Sequence, residues 1–119
     1  MADERPIIIS AQNAEHYNWG NQCDGWHLIK SDSLSIIQER MLPGTSEIKH
    51  YHQQARQFFF VLSGEATMEI GNEKVVLKTH EGIEIPPRVA HQMRNDSAAD
   101  VLFIVTSTPK SHGDRIVVG

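Results

Sequence analysis

The chain has 119 residues, of which 11 are Lys or Arg and 15 are Asp or Glu, so its formal net charge is −4 with neutral histidines. This acidic balance excludes a typical nucleic-acid-binding module, which carries a basic excess. The length fits one domain, and the single cysteine, Cys23, excludes an intramolecular disulfide framework. The longest apolar run near the start, Ile7-Ile8-Ile9, is far too short to span a membrane. We therefore expect a cytoplasmic protein with a single domain over residues 1–119 and with neither nucleic-acid nor membrane partners.

Helical periodicity is almost absent from the sequence. The one candidate helix covers residues 11–16, after Ser10 as its cap, and it lacks an apolar stripe. The rest of the chain consists of short β-prone runs separated by turn residues such as Pro43-Gly44 and Gly71-Asn72. These runs predict strands at residues 25–30, 34–42, 47–52, 57–62, 65–70, 73–79, 83–85, 89–95 and 101–105. Short strands at this regular spacing predict an all-β sandwich or barrel.

The histidine pair His50 and His52 is the first feature that indicates chemistry. Side chains alternate along a strand, so both imidazoles point to one face, about 6.5–7 Å apart. A tight connection then folds Gln57 back beside them, and His91 lies on a later predicted strand. Neutral imidazoles from two strands suit a divalent Zn, Fe, Mn, Ni or Co ion. The spacing therefore indicates a candidate metal site of His50, His52 and His91, with Gln57 beside it and its ligation left open.

A structural role is the alternative for every histidine taken singly. A lone strand histidine is usually hydrogen-bonded or solvated, and we assign His16, His27 and His112 to that class. The close spacing of His50 and His52 favours a site for that pair, because two adjacent imidazoles need a common partner.

Alternation also places apolar side chains on the faces that carry the candidate ligands. The predicted pocket residues of this kind are Ile48, Phe59, Ile85 and Met93. On its predicted strand, Arg40 falls on the face that alternation assigns to the interior. It either lines this pocket or pairs with an acidic residue at the surface. An arginine buried near a divalent cation would need an anion between them, which would indicate a carboxylate or enolate substrate. Tyr17 and Trp19 either cover the barrel mouth or pack at a sheet edge.

Two sequence motifs carry a family resemblance. The segment GTSEIKHYHQQARQFFFVLSG reads Gly44-x5-His50-x-His52-x4-Gln57-x6-Gly64, which resembles the first motif of the cupin superfamily. The segment HEGIEIPPRVAHQMRN resembles the second motif, with Pro86, His91 and Asn95 at its expected positions. The resemblance covers residues 34–105 and implies a small RmlC-like cupin: a double-stranded β-helix, or jelly-roll-like barrel, with a metal ion.

Three residues depart from the motifs. Gln57 stands where the family has a glutamate ligand, so three histidines and an amide would leave a bound divalent ion with its full charge. His80 stands where the second motif has glycine, and it lies either near the barrel mouth or in a solvated turn. Arg88 replaces a glycine after the double proline, so that turn has to accommodate a side chain.

Several functions remain open, because this barrel hosts many chemistries. The first is a metal-dependent enzyme that acts on a small organic molecule. A dioxygenase ranks ahead of an isomerase, because the motifs contain no strong acid–base residue. The second is a non-catalytic sensor or binding protein for a small molecule or metal. The third is a metal-free epimerase or isomerase, with His80 or Tyr51 as its acid–base group.

The two chain ends predict a homodimer. Small single-domain members of this superfamily usually pair, and exposed strands can add to a neighbour's sheet edge. The apolar segments at residues 7–9 and 116–118 are the candidates for such an interface.

Overall fold

The structure is a computed structural model, and it describes residues 7–111 and 113–118. His112 and the segment 1–6, both included in the sequence predictions, lie outside the described residues. Eleven β-strands occur in the described part of the chain. They are β1 (Glu15–Trp19), β2 (Cys23–Lys30), β3 (Ser35–Met41), β4 (His50–His52), β5 (Arg56–Ser63), β6 (Ala66–Ile70), β7 (Glu73–Leu77), β8 (Gly82–Ile85), β9 (His91–Arg94), β10 (Val101–Thr108) and β11 (Arg115–Val117).

The strands form two antiparallel sheets, and the all-β barrel architecture predicted from the sequence is confirmed. One sheet has the order β1-β2-β3-β10-β5-β8, and the other has the order β11-β4-β9-β6-β7. Among the described residues, no helix has the length and apolar character needed to cross a bilayer.

The hydrophobic core lies between the sheets because each strand buries alternate side chains. In β10, Val101, Phe103 and Val105 are buried, while the residues between them are partly exposed. Met68 on β6 and Met93 on β9 supply fully buried side chains from the other sheet. The core thus joins both sheets and supports the strands that carry the site.

The helix expected at residues 11–16 is wrong, whereas the interface expected at residues 116–118 stays a prediction, because β11 lies at the edge of its sheet. Residues 11–13 form a turn instead of a helix, with the Ser10 carbonyl accepting hydrogen bonds from the amides of Asn13 and Ala14 at 3.1 and 2.8 Å. The chain then enters β1, which pairs with β2. Near the other end, Ile116 and Val117 lie in β11, which pairs with β4 of the same chain. Their backbone hydrogen-bonding positions toward β4 are therefore already used within the chain.

Three pairings of opposed residues position the site. Opposed residues in antiparallel strands point to the same face of a sheet. The pairs are His50 with His91, His52 with Arg115, and Gln57 with Ser107. Residues distant in sequence are thereby brought to one region between the sheets.

Two motif positions adopt the left-handed backbone conformation that glycine favours. His80 has φ +68° and Arg88 has φ +65°, and both stand where the cupin motif has glycine. A residue with a Cβ atom is strained in this region. The backbone amide of Arg88 donates a 2.6 Å hydrogen bond to the His52 carbonyl, which holds this turn against β4.

Candidate active site

His50, His52 and His91 form a buried cluster in which one ring nitrogen from each lies within 4.8 Å of the others. The ring centroids of His50 lie 4.9 Å from His52 and 4.6 Å from His91, and those of His52 and His91 lie 6.1 Å apart. All three side chains are almost completely buried. Such a group of nitrogen donors can hold a metal ion.

The surroundings of the three imidazoles favour their neutral form, in which a ring nitrogen can bind a metal ion. The Nδ1 atoms of His50 and His91 lie 2.6 and 3.0 Å from the carbonyl oxygens of Ile48 and Val89. Because a carbonyl only accepts, each Nδ1 donates its proton and each Nε2 keeps a free lone pair. Burial lowers the pKa of His50, and it lowers the pKa values of His52 and His91 to about 4.

Three buried polar atoms at this cluster show whether the residues fit a metal ion. His91 Nε2, His52 Nδ1 and Gln57 Oε1 have no hydrogen-bond partner within the described part of the chain. The amide nitrogen of Gln57 donates to Ser107 Oγ at 3.0 Å, which leaves the amide oxygen as the acceptor. Buried acceptors without a donor are costly, and a divalent cation would satisfy them. The residues present therefore fit a metal ion.

A cavity of about 470 Å³ adjoins the cluster. His50, His52 and Gln57 line it, while His91 lies behind them with its ring 5.8 Å from that of Phe59. The apolar part of the lining comes from Trp19, Ile37, Ile48, Phe59 and Val105. The polar part also includes Tyr17, Glu39, Glu47, Ser107 and Arg115. A cavity of this size is typical of a small-molecule site.

Two acidic side chains face this cavity. Tyr17 donates a 2.9 Å hydrogen bond to Glu39 Oε2. Burial raises the pKa of Glu39 to about 7, against the opposing effect of the Tyr17 hydrogen bond. Burial and the adjacent Glu39 also raise the pKa of Tyr17, so its hydroxyl keeps its proton. Burial, with a contribution from Glu39, raises the pKa of Glu47 to about 8, and Glu47 Oε1 accepts the Met93 amide at 3.0 Å.

The predicted pocket residues are only partly brought together. Ile48 and Phe59 line the cavity. Ile85 and Met93 lie in the hydrophobic core, almost completely buried and outside the cavity lining. Of the two places open to Arg40, the structure excludes the pocket.

Arg40 binds acids instead. Its Nε donates to Asp24 Oδ2 at 2.7 Å, Nη2 also bonds Asp24, and Nη1 donates to Asp100 at 2.9 Å. The physical reason is strand parity, since the neighbouring residue Glu39 is the one that faces the cavity.

The other described histidines lie apart from the cluster. His16 Nε2 lies 2.7 Å from Asp24 Oδ1, and His27 is buried on β2. His80 is exposed and stacks on Phe60. Neither His80 nor Tyr51, the acid–base candidates for a metal-free epimerase, lines the cavity.

Four titratable residues of the described cavity lining lie outside the predicted site: Tyr17, Glu39, Glu47 and Arg115. Alternation groups Glu39 with Ser35 and Ile37 on one face of β3, but it does not decide which face of this strand points inward. Tyr17 stands in the sequence as a candidate lid residue. Arg115 could not be found from the sequence, because β11 has only three residues and is too short to show an alternation pattern.

The two sheets and the three-histidine cluster define a double-stranded β-helix with a candidate metal centre. Residues 38–107 match the family model described as Cupin domain, and the chain belongs to that family.

The chain is similar in sequence to proteins from other organisms. The uncharacterized protein MJ1618 of Methanocaldococcus jannaschii is 29% identical over 93 residues, covering 77% of this chain and 74% of that protein. Polyketide synthase CurC of Streptomyces cyaneus is 31% identical over 65 residues, covering 53% of this chain and 42% of CurC. The chain thus spans less than half the length of CurC.

Among solved structures, the polyketide cyclase RemF of Streptomyces resistomycificus has a TM-score of 0.82 at 14% identity. The match covers 97% of this chain and 87% of RemF. At this identity the likeness concerns the fold.

Proposed function

We propose that this protein is a metal-dependent cupin enzyme that moves a proton on a small organic molecule, as isomerases, lyases and cyclases do. One observation carries the proposal: a candidate metal cluster and a hydrogen-bonded Glu39–Tyr17 pair face the same cavity. The names of two similar proteins, a polyketide synthase and a polyketide cyclase, are compatible with an organic substrate.

The metal would be held by His50, His52 and His91, with the Gln57 amide oxygen as a fourth donor. A bound divalent ion would supply Lewis-acid polarisation of a substrate carbonyl or hydroxyl oxygen. All four donors are neutral, so the charge of the ion would not be reduced by its ligands. Its identity among Fe, Mn, Ni, Zn and Co stays a prediction.

Glu39 is the residue proposed to accept and return the proton. A carboxyl whose pKa lies near 7 exchanges a proton readily at neutral pH. The Tyr17 hydroxyl orients this carboxyl and stabilises its ionised form by donating to Oε2. The apolar wall formed by Ile37, Phe59 and Val105 limits the water beside the reacting atoms. The motifs alone ranked a dioxygenase ahead of an isomerase, because they contain no strong acid–base residue. The proposal reverses that ranking, because Glu39 and Tyr17 lie outside both motifs.

The test is hydrogen exchange into D₂O, followed by NMR, with a panel of small carbonyl compounds and the metal-loaded protein. We expect exchange next to the carbonyl group, and a Glu39→Gln variant slower by roughly 10²–10⁴-fold. Glu84→Gln is the matched control, because Glu84 is exposed and pairs with Arg56 outside the cavity. Chelation should abolish exchange, and added metal should restore it. Exchange that persists at the wild-type rate in Glu39→Gln or after chelation would overturn the proposal.

A dioxygenase is the second candidate. The cluster of neutral nitrogen donors beside an apolar cavity wall favours it. The test is substrate-dependent oxygen uptake measured with an oxygen electrode. Uptake that Glu39→Gln leaves unchanged would indicate a dioxygenase and would contradict the proton-transfer proposal. Compounds that raise the melting temperature without being consumed would instead indicate a binding protein.

A homodimer stays part of the proposal. Ile7 and Ile8 are 80% and 89% exposed, which is unfavourable for side chains of this size in water. Light scattering at several concentrations tests it, and a monomer mass at every concentration would contradict it. The cytoplasmic location remains a prediction from composition.

A further inference from the structure

Arg115 lies beside the candidate metal centre without belonging to it. It opens β11 and stands opposite His52 on β4, so both side chains point to the same face of the sheet. Arg115 lines the cavity together with His50 and His52, and it is exposed to solvent. It therefore brings a positive charge to the open side of the cavity.

Arg115 forms no close ion pair with a carboxylate within residues 7–111 and 113–118, although it is near enough to Glu47 to lower the pKa of that carboxyl. Arg40, Arg56 and Arg94 each pair with at least one acid at 3.1 Å or less. Arg115 forms no such ion pair with a described residue, although Glu39 and Glu47 line the same cavity. Burial raises the pKa values of both glutamates, which weakens them as anionic partners at neutral pH.

The backbone at Arg115 is anchored through its neighbour Asp114. The Asp114 carboxylate accepts hydrogen bonds from the backbone amides of Gln53, Gln54 and Ala55 at 3.1, 3.0 and 2.9 Å. These bonds tie the start of β11 to the loop that follows His52, and they occupy the Asp114 carboxylate. The backbone of Arg115 is thus held beside β4, which carries His50 and His52, by a residue whose carboxylate is engaged elsewhere.

We infer that Arg115 binds the carboxylate of the substrate, so that the substrates are small organic acids. With a divalent ion at the histidine cluster, two cationic centres would border one cavity, and an anion between them would offset their repulsion. The planar guanidinium fork matches a carboxylate in two parallel hydrogen bonds. One singly charged arginine also balances one carboxylate, whereas a phosphate carries more charge. The inference rests on the proposed function only for the part of the substrate that reacts. Binding of the carboxylate by Arg115 does not depend on that reaction.

The test is calorimetric titration of metal-loaded protein with 4-oxopentanoate and with its neutral isostere 4-oxopentanamide. In this acid the carboxylate and the ketone are well separated, so one group can reach Arg115 while the other lies at the histidine cluster. We expect the acid to bind about tenfold more tightly than the amide, and Arg115→Gln to remove that difference without changing amide binding. Arg115→Lys keeps the charge but loses the fork, so it should restore part of the preference.

The matched control is Arg56→Gln, because Arg56 is an exposed arginine that pairs with Glu84 away from this cavity. Equal binding of acid and amide by the wild type, or equal losses for both in Arg115→Gln, would overturn the inference. Tighter competition by inorganic phosphate than by 4-oxopentanoate would overturn the carboxylate assignment. The titration measures binding and not turnover. If the acid is preferred but the exchange assay detects no exchange, the Arg115 site stands and the proposed function is wrong.

Discussion

Replacing Glu39 with glutamine should change how the stability of the protein depends on pH. Burial raises the pKa of Glu39 to about 7, from 4.5 in an unperturbed chain. Below pH 4.5 the folded and unfolded states both keep the proton. Between 4.5 and 7 the unfolded chain releases it while the folded chain retains it, so the free energy of unfolding falls as pH rises. At about 1.4 kcal/mol per pKa unit, the loss from this carboxyl reaches about 3 kcal/mol and levels off above pH 7.

The glutamine side chain of the Glu39→Gln variant cannot ionise, yet its amide oxygen can still accept the Tyr17 hydroxyl. The variant should therefore gain stability relative to the wild type by up to about 3 kcal/mol between pH 5 and pH 8. The assay is urea unfolding of chelator-treated protein at about pH 5, 6, 7 and 8, because a bound cation would lower the carboxyl pKa. Burial and the neighbouring Glu39 raise the pKa of Glu47 to about 8, so part of the difference between the two proteins comes from the coupling of Glu47 to Glu39.

The control for this experiment is Glu84→Gln, which removes an exposed carboxylate that pairs with Arg56. Its stability should follow the wild-type pH dependence. If Glu39→Gln also runs parallel to the wild type, the Glu39 carboxyl is ionised in the folded protein throughout this range. Its proposed role as a group that exchanges a proton near neutral pH would then be wrong.

Two further substitutions test the backbone around the site. Arg88→Gly should raise the free energy of unfolding by about 0.5–1 kcal/mol in urea, because it relieves a φ of +65°, whereas Arg88→Ala should bring no such gain. Gly25→Ala should lower the free energy of unfolding by about 1–3 kcal/mol, because the new Cβ atom would clash with Cζ of Tyr17 and displace the ring from Glu39. In a Tyr17→Ala background the Gly25→Ala loss should shrink, and an unchanged loss would contradict the proposed clash.

Most strands could be predicted because their apolar alternation is strong and turn residues separate them. In β5 and β10, aromatic and branched residues alternate between a buried and a more exposed face. β1 escaped prediction because its sequence, EHYNW, is polar and none of its side chains is fully buried. β11 has three exposed residues and is defined by its pairing with β4, a long-range contact that local sequence does not encode.

The candidate site divides in the same way. His50, His52 and His91 could be predicted from their spacing and from the motifs, and the structure brings them together. The face of β3 could not be predicted with equal certainty, because Ile36 and Ile37 are both apolar and alternation fits either parity. The parity assumed from the sequence placed Arg40 inside. The structure places Ile37 and Glu39 toward the cavity.

The metal centre and the groups proposed to act on the substrate come from different parts of the chain. The motifs supply the cavity wall that carries His50, His52 and Gln57, and this wall offers neutral donors to an ion. The acid and the cation come from β3 and β11, through Glu39 and Arg115, and neither residue belongs to a motif position. A related chain could keep every motif residue and lack both side chains, and it would then bind an ion without this acid–base group or anion site. Family membership therefore supports the metal centre, whereas the reaction and the substrate class depend on side chains outside the motifs.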